Sequence, residues 1–254
     1  MPRVHLPFLP TLLTKRLLLL LGGVLLATAC QKKDPISPTE PADPDWIKLE
    51  IPTNWGGDEA YSVVGDIDKT LLIATATQLN ATSDGGKTWR VLKVFNRSMY
   101  GLLLRQDTLF ALESMVTRQG ERVALVADQF SINFGQTWIY SINGDYHRLR
   151  AISQPFGRIE AAGITYRTHP NTTPIPNSSS QYVIASDLLR TDATGRPQAL
   201  RLPARHYLNN LHLDGQNRLY VTASGLRFDE GTSTTASAKS GKSAVLYISR
   251  RPLP

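Results

Sequence analysis

The chain has 254 residues, a formal net charge of +7 and 41% hydrophobic residues. Three of its cations, Arg3, Lys15 and Arg16, lie in the first 29 residues, and without them the charge falls from +7 to +4. A surplus this small, with no basic stripe, argues against a nucleic-acid partner. The single cysteine, Cys30, excludes an intrachain disulfide.

The first 29 residues have the order of features that predicts a signal peptide. Positive charges come first, an apolar run follows at Leu17–Leu26, and small residues lead into Cys30. The alternative is a membrane-spanning helix, which needs about 20 apolar residues. The apolar segment 17–29 has 13, so we expect residues 1–29 to be removed on export.

Cys30 is the expected attachment point for a lipid. The tetrapeptide Ala27-Thr28-Ala29-Cys30 resembles the lipobox of bacterial lipoproteins. This resemblance implies a diacylglyceryl thioether on Cys30 and contact with a membrane through the lipid, and two or three acyl chains make such an anchor long-lived. Because no Asp follows Cys30, the site also resembles the pattern sorted to the outer membrane in Gram-negative cells. We therefore expect a lipid-anchored, monomeric envelope protein, facing either the periplasm or the cell surface.

The segment after Cys30 is predicted to be a tether. Residues 31–45 contain four prolines and no aromatic residue, so they cannot bury a core and should form an extended spacer. The expected organisation is a signal peptide at 1–29, a lipidated tether at 30–45 and one folded domain at 46–254.

The folded domain is predicted to be all-β. No segment after Trp46 keeps a helical period for three turns, whereas short β-rich runs recur between turn residues. These runs are Tyr61–Val64, Leu71–Thr75, Met99–Leu104, Leu109–Leu112, Val123–Ala127, Tyr182–Ser186, Leu219–Ala223 and Val245–Ser249. Turns at Asp66–Lys69 and Asp214–Asn217 join neighbouring runs as hairpins, which indicates an up-and-down antiparallel sheet pattern.

Two octets of the form Ser/Thr-x-Asp/Asn-x-Gly-x-Thr-Trp occur 49 residues apart, at 82–89 and 131–138. In such a turn, a short acceptor side chain can bond the turn's own N–H groups and glycine can adopt a positive φ. The tryptophan should then pack between neighbouring sheets. The residues that define the octets are Thr82, Asp84, Gly86, Thr88 and Trp89, and Ser131, Asn133, Gly135, Thr137 and Trp138.

The octets resemble the Asp box of bacterial-neuraminidase-repeat β-propellers, which include sialidase-like and photosystem II assembly-factor-like proteins. The resemblance implies a small β-propeller of four-stranded antiparallel blades, with Asp84 as a structural turn residue. A weaker copy that lacks the tryptophan is predicted around Asp192.

Four blades are predicted, at about 57–104, 99–143, 146–203 and 206–251, and five remain an alternative because Tyr146–Tyr166 is ambiguous. Trp46–Pro52 is expected to complete the last blade, which would close the ring and remove its exposed edges. The polar segments 167–180 and 229–243 are predicted to be loops on a face of the ring.

Fold alone does not assign a function, and the residues indicate little chemistry. No catalytic residue, metal ligand or cofactor motif is predicted: His147, His169, His206 and His212 lack ligand spacing, and Asp66, Asp68 and Asp107 are interpreted as turn formers rather than calcium ligands. We expect a non-enzymatic module that binds a protein or glycan on one face. The alternative is a sialidase-like glycoside hydrolase or lyase acting on extracellular polysaccharide, but the Phe-Arg-Ile-Pro motif of sialidases does not precede Thr82.

Overall fold

The computed structural model describes residues 42–53, 59–141, 152–228 and 243–253. The predicted signal peptide, Cys30, most of the tether and most of the predicted loop 229–243 lie outside these ranges. Within them, no helix is long and apolar enough to cross a membrane.

The described residues are all-β, as predicted, and form nineteen strands. In chain order these are β1 (Trp46–Pro52), β2 (Ala60–Gly65), β3 (Leu71–Thr75), β4 (Gln78–Thr82), β5 (Arg90–Val94), β6 (Gly101–Arg105), β7 (Thr108–Leu112), β8 (Ser114–Arg118), β9 (Glu121–Leu125), β10 (Gln129–Ser131), β11 (Ile139–Tyr140), β12 (Ser153–Pro155), β13 (Arg158–Ala161), β14 (Ile164–Pro174), β15 (Gln181–Thr191), β16 (Pro197–Leu200), β17 (Arg205–Leu213), β18 (Leu219–Phe228) and β19 (Ser243–Ser249).

These strands form five small antiparallel sheets in a ring, which is a β-propeller. The strand orders are β2-β3-β4-β5 in the first sheet, β6-β7-β10-β11 in the second, β8-β9-β12 in the third, β13-β14-β15-β16 in the fourth and β17-β18-β19-β1 in the fifth. The fifth sheet confirms the predicted closure: β1 pairs with β19 from Trp46 opposite Ser249 to Pro52 opposite Ser243. The two ends of the domain therefore share one sheet.

The number of sheets is five, which agrees with the alternative prediction of five blades and not with the preferred prediction of four. The four four-stranded sheets lie within the four predicted blades, but the segment predicted as the second blade holds six strands. Its central hairpin bends at Glu113 and Val126, where the Glu113 N–H donates to the Val126 carbonyl at 3.0 Å and Val126 has a φ of 69°. Beyond the bend, β8 and β9 pair with β12 and form the third sheet.

The segment 167–180 differs from its prediction as a loop. Residues up to Pro174 belong to β14, which pairs with β15 in a long hairpin, so that only 175–180 form the connection. The β14 side chains alternate between buried and exposed up to His169, and the outer part of the hairpin is largely exposed. This polar, Thr-rich segment therefore forms part of a hairpin whose outer part is exposed.

Hydrophobic clusters fill the spaces between neighbouring sheets. Trp89 packs against the cluster between the fifth and first sheets, and Trp138 against the cluster between the first and second. Trp46, 6% exposed, occupies the corresponding place between the fourth and fifth sheets. Each of the three tryptophans thus covers a junction between two sheets.

Candidate functional site

The two octets form turns with matching hydrogen bonds. The Thr82 hydroxyl accepts from the Gly86 N–H at 3.0 Å, and Asp84 Oδ1 accepts from the Thr88 N–H at 3.0 Å. In the second octet, the equivalent distances are 2.8 Å from Gly135 N–H to Ser131 Oγ and 2.8 Å from Thr137 N–H to Asn133 Oδ1. Asn133 thus accepts the same backbone bond as Asp84.

The turn at Asp192 has a different geometry. Its Oδ1 accepts from the Thr194 N–H at 2.8 Å, two residues ahead, whereas the octets bond four residues ahead. The Gly195 N–H closes the turn by donating to the Asp192 carbonyl at 3.0 Å. None of the octet residues, nor Asp192, lines the cavity on which residues of all five sheets converge. These turns build the scaffold, and the candidate site lies elsewhere.

The candidate site is a cavity of about 430 Å³ at the place where the sheets meet, and we call it the axial cavity. Every sheet, or a residue next to it, contributes to the wall. The lining residues are Glu59, Tyr61, Tyr100, Met115, Arg122, Phe156, Val183, Tyr207, Asn209, Ser224, Leu226 and Phe228. A largely apolar wall with a few polar groups is typical of ligand-binding cavities.

Three half-buried tyrosines, Tyr61, Tyr100 and Tyr207, form much of this wall. The rings of Tyr61 and Tyr100 are tilted by 57° with centroids 5.1 Å apart. Tyr100 also packs edge-on against the buried ring of Phe156, at 6.3 Å. Because each tyrosine is partly exposed, the cavity offers a ligand both apolar ring surface and phenolic hydroxyls.

Arg122 is held in place by uncharged groups. Its Nη2 donates to the Thr168 hydroxyl at 2.9 Å and its Nη1 to the Tyr207 hydroxyl at 3.5 Å, while the guanidinium lies 4.8 Å from the centre of the Phe156 ring. Neither hydrogen bond neutralises the positive charge. Arg122 is therefore a fixed cation in the cavity wall and can still donate to a ligand.

Close packing leaves no room for a larger residue at position 157 beside Arg122. Gly157 has a φ of +76°, and a Cβ there would lie 2.4 Å from Thr168 Oγ1 and 2.8 Å from Arg122 Nη2. Its N–H donates to the buried Asn210 side chain at 2.9 Å, which ties it to the fifth sheet. The position of the Arg122 guanidinium thus depends on Gly157, which belongs to no recognised sequence motif.

Tyr61 and Glu59 form the second polar group of the cavity. Burial, followed by the hydrogen bond and negative charge of Glu59, raises the pKa of Tyr61 far above its usual value. The phenol is therefore neutral at physiological pH and acts as a hydrogen-bond donor.

The carboxylates of the two predicted hairpin turns serve a structural purpose. Arg218 bonds Asp66 and Asp214 at 2.7 Å each and Asp68 at 2.8 Å, so one guanidinium joins the turns of the first and fifth sheets. In the described part of the chain, no cluster of three or more His, Cys, Asp or Glu residues could hold a metal ion.

The residues of the axial cavity could not be found from sequence motifs. They are spread over residues 59–228 and come together only when the ring closes. One signal exists in retrospect: Tyr61 and Tyr207 lie near the start of β2 and β17, and Tyr100 lies just before β6. The three tyrosines therefore have similar positions relative to the start of a strand. This similarity can be recognised only when the three strands are known to be equivalent members of their sheets.

No protein-family model and no curated protein matches the chain. Among solved structures, the chain is similar to a streptogramin B lyase, with 11% identity, coverage of 80% of this chain and 97% of that chain, and a TM-score of 0.29. It is also similar to BamB from Moraxella catarrhalis, with 11% identity, coverage of 76% of this chain and 86% of that chain, and a TM-score of 0.23. At these TM-scores, neither protein indicates which residues of this chain bind a ligand.

Proposed function

We propose that the protein is a non-enzymatic binding module of the bacterial cell envelope and that it binds a glycan in the axial cavity. The observation that carries this proposal is the convergence of Tyr61, Tyr100 and Tyr207 on one cavity that also holds Arg122. A sugar ring has an apolar C–H face and a rim of hydroxyls. Tyrosine rings can cover the face, while phenols and the guanidinium bond the rim.

One feature favours binding over glycoside hydrolysis. Glycosidases with the usual mechanism use a pair of carboxylic acids about 5–9.5 Å apart. Glu59 is the one carboxylate among the described residues that line the axial cavity.

An extended protein segment is a second candidate ligand. Met115 and Val183 line the cavity with 37% and 43% exposure, and Tyr182, next to Val183, is 37% exposed. Exposed apolar side chains grouped at a cavity are typical of protein-binding surfaces. We favour the glycan because the tyrosine hydroxyls and Arg122 provide more polar groups than an apolar peptide side chain needs.

Glycan binding can be tested on the full-length protein in detergent micelles, with an array of envelope polysaccharides followed by calorimetry. We expect Tyr207→Ala to weaken binding about tenfold, which corresponds to about 1.4 kcal/mol of lost contact. Tyr140→Ala is a matched control, because Tyr140 is 57% exposed on β11 and does not line the cavity. If Tyr207→Ala bound as tightly as the wild type, the axial cavity would not be the glycan site. Sugar release that disappears in Glu59→Gln would instead establish the hydrolase alternative.

We also propose that Cys30 carries the lipid that holds the module at the membrane. Cys30→Ser should move the protein from the washed membrane fraction to the soluble fraction and abolish labelling with radioactive palmitate, because serine cannot form the thioether. Lys33→Ser is a suitable control, since it changes a nearby residue and keeps the thiol. Retention of Cys30→Ser in washed membranes would point to another form of attachment.

A further inference from the structure

The axial cavity contains two charged side chains of opposite sign. Arg122 lies on β9 of the third sheet, and Glu59 lies one residue before β2 of the first sheet. Both residues are half-buried. Arg122 bonds the hydroxyls of Thr168 and Tyr207, and Glu59 accepts from the Tyr61 hydroxyl. Within the described part of the chain, neither residue forms an ion pair with the other or with a third group.

A series of hydrogen bonds links the two charged residues through their neighbours. The Asn209 side chain, 2% exposed, donates to the carbonyl of Ala60, the residue after Glu59, at 2.9 Å. The Asn209 carbonyl accepts from the Thr168 hydroxyl at 3.4 Å, and the same hydroxyl accepts from Arg122 Nη2 at 2.9 Å. These bonds hold the cation and the anion at a set separation. Charged groups fixed in this way are suited to selective binding.

Two separated charges of opposite sign favour a ligand whose own charges are arranged in the complementary order. Thr168 and Tyr207 use one N–H each of the Arg122 guanidinium, which leaves others to donate to a carboxylate. An ammonium group is attracted to the carboxylate of Glu59 and can donate to it. A ligand with charge of one sign meets one attraction and one repulsion in the cavity. A neutral ligand leaves both charges without an ionic partner.

We propose that the axial cavity selects a zwitterionic glycan, which places a carboxylate at Arg122 and a protonated amine at Glu59. This inference rests on the proposed glycan binding. It narrows the ligand class to polysaccharides that carry both sugar acids and amino sugars with free amines. The sugar rings lie against the tyrosines of the cavity, between the two charged residues.

Hyaluronan oligosaccharides can test this selectivity because one polymer backbone can be prepared in four forms. The native form carries carboxylates only, and the carboxyl-reduced form is neutral. The N-deacetylated form carries both charges, and the form that has received both treatments carries amines only. Calorimetry on the full-length protein in detergent micelles, at a slightly acidic pH that protonates the amines, measures each affinity. We expect the form with both charges to bind about tenfold or more tightly than each of the others.

General electrostatic attraction predicts a different order of affinities. The whole chain has a net charge of +7, so attraction to the protein surface would make the purely acidic form the tightest ligand. Attraction between exposed charges is also screened strongly by salt. The preference for the form with both charges should persist at physiological ionic strength, because Arg122 and Glu59 are half-buried.

Two substitutions assign each ligand charge to its protein partner. Arg122→Gln should reduce the affinity gained from the ligand carboxylate about threefold or more and retain the gain from the amine. Glu59→Gln should do the reverse, so each variant is the control for the other. Arg105→Gln should retain the order of the four forms, because Arg105 is an exposed arginine at the end of β6 that does not line the cavity.

The test does not depend on the folding of one variant. The comparison of the four forms on the wild type needs no substitution. Arg122→Lys keeps the positive charge but loses the paired N–H groups of the guanidinium, so it should also reduce the gain from the carboxylate. An unchanged gain in the folded Arg122 variants would overturn the assignment of the carboxylate to Arg122.

The failure of this inference is distinguishable from the failure of glycan binding. Equal affinity for the four forms, or tightest binding of a form with charge of one sign, would overturn the zwitterionic ligand and leave glycan binding intact. Binding of a neutral envelope glycan together with no binding of any hyaluronan form would have the same meaning. Binding of no glycan at all, on the envelope array or among these forms, would contradict the proposed function and this inference with it.

Discussion

Replacing Arg218 with methionine should lower the free energy of unfolding by about 3–5 kcal/mol, the cost typical of removing one partner from a buried ion pair. Arg218 is 9% exposed, and its Nε and Nη2 lie 2.7 Å from Asp214 and Asp66. The side chain of Asp214 is fully buried, so its charge would lose its main compensation. Asp68 contributes little to this estimate because its side chain is 59% exposed.

The loss of the Arg218 guanidinium should weaken the closure of the ring as well as one turn. Asp214 also accepts from the Tyr220 hydroxyl at 2.9 Å, and that hydroxyl accepts from the Ile67 N–H at 3.1 Å. These bonds join the β17–β18 turn of the fifth sheet to the β2–β3 turn of the first.

Urea denaturation followed by tryptophan fluorescence would measure the change. Arg158→Met is the control, since Arg158 pairs with the exposed carboxylates of Glu121 and Glu160 and should cost less than about 1 kcal/mol. Equal losses for the two variants would contradict a special role for Arg218.

The same cluster should make stability depend on acidic pH. Burial acts to raise the pKa of Asp214, but the hydrogen bonds from the Arg218 backbone and side chain and from Tyr220 outweigh it, so the pKa is lowered. A carboxyl whose pKa is lower in the folded state stabilises the protein above its unfolded pKa, near 3.8, and loses this effect as the pH falls towards the folded value. The stability difference between wild type and Arg218→Met should therefore be largest above about pH 4 and shrink below it. A difference that stayed constant down to pH 2 would contradict this assignment.

Deleting Trp46–Pro52 should abolish stable folding of the monomer. β1 contributes the buried Trp46 to the junction between the fourth and fifth sheets, and the buried Ile51 to the junction between the fifth and first. Each fully buried apolar side chain of this kind contributes about 1.5–3 kcal/mol. The half-buried Ile47 and Leu49 add to this, so the total approaches the roughly 5–15 kcal/mol that stabilises a whole domain.

The deletion would also expose β19. That strand pairs with β1 along its whole length from Ser243 to Ser249, so its outer edge would present unpaired backbone groups to other molecules. Size-exclusion chromatography with light scattering should detect aggregates. Removing the predicted tether 31–41 instead is the matched control and should leave a monomer. A monomeric deletion of Trp46–Pro52 with wild-type thermal stability would show that β1 is dispensable for closure.

Features that depend on nearby residues were predicted from the sequence. The octets at 82–89 and 131–138 have the same hydrogen bonds because every donor and acceptor lies within four residues of its partner. The turns at Asp66–Lys69 and Asp214–Asn217 form as expected, since a short acidic side chain bonds N–H groups ahead of it. The position of Trp46–Pro52 in the last blade was also predicted correctly. Its alternating apolar residues and its tryptophan indicated an outer strand without a sheet of its own.

Apart from the pairing of β1 with β19, features that depend on distant residues were not predicted. The hairpin between β7 and β10 bends at Glu113 and Val126, and its outer half finds a partner only in β12. No local sequence pattern indicates that β12 is the partner, so the segment 99–143 was assigned to one blade. Segment 167–180 was expected to be a loop for the same reason, since its strand pairing is made with residues beyond it.

The amino-acid sequence by itself determined the all-β class and the octet turns, because periodicity and short-range hydrogen bonding depend on consecutive residues. It also indicated the closure of the ring, because Trp46–Pro52 has the pattern of an outer strand. The tertiary structure alone decided the number of sheets, the ion-pair cluster at Arg218 and the composition of the axial cavity. Tyr61, Arg122 and Tyr207 become neighbours only when five sheets meet at one axis. Contacts between residues far apart in the chain depend on how whole sheets pack, and that packing is a property of the complete fold.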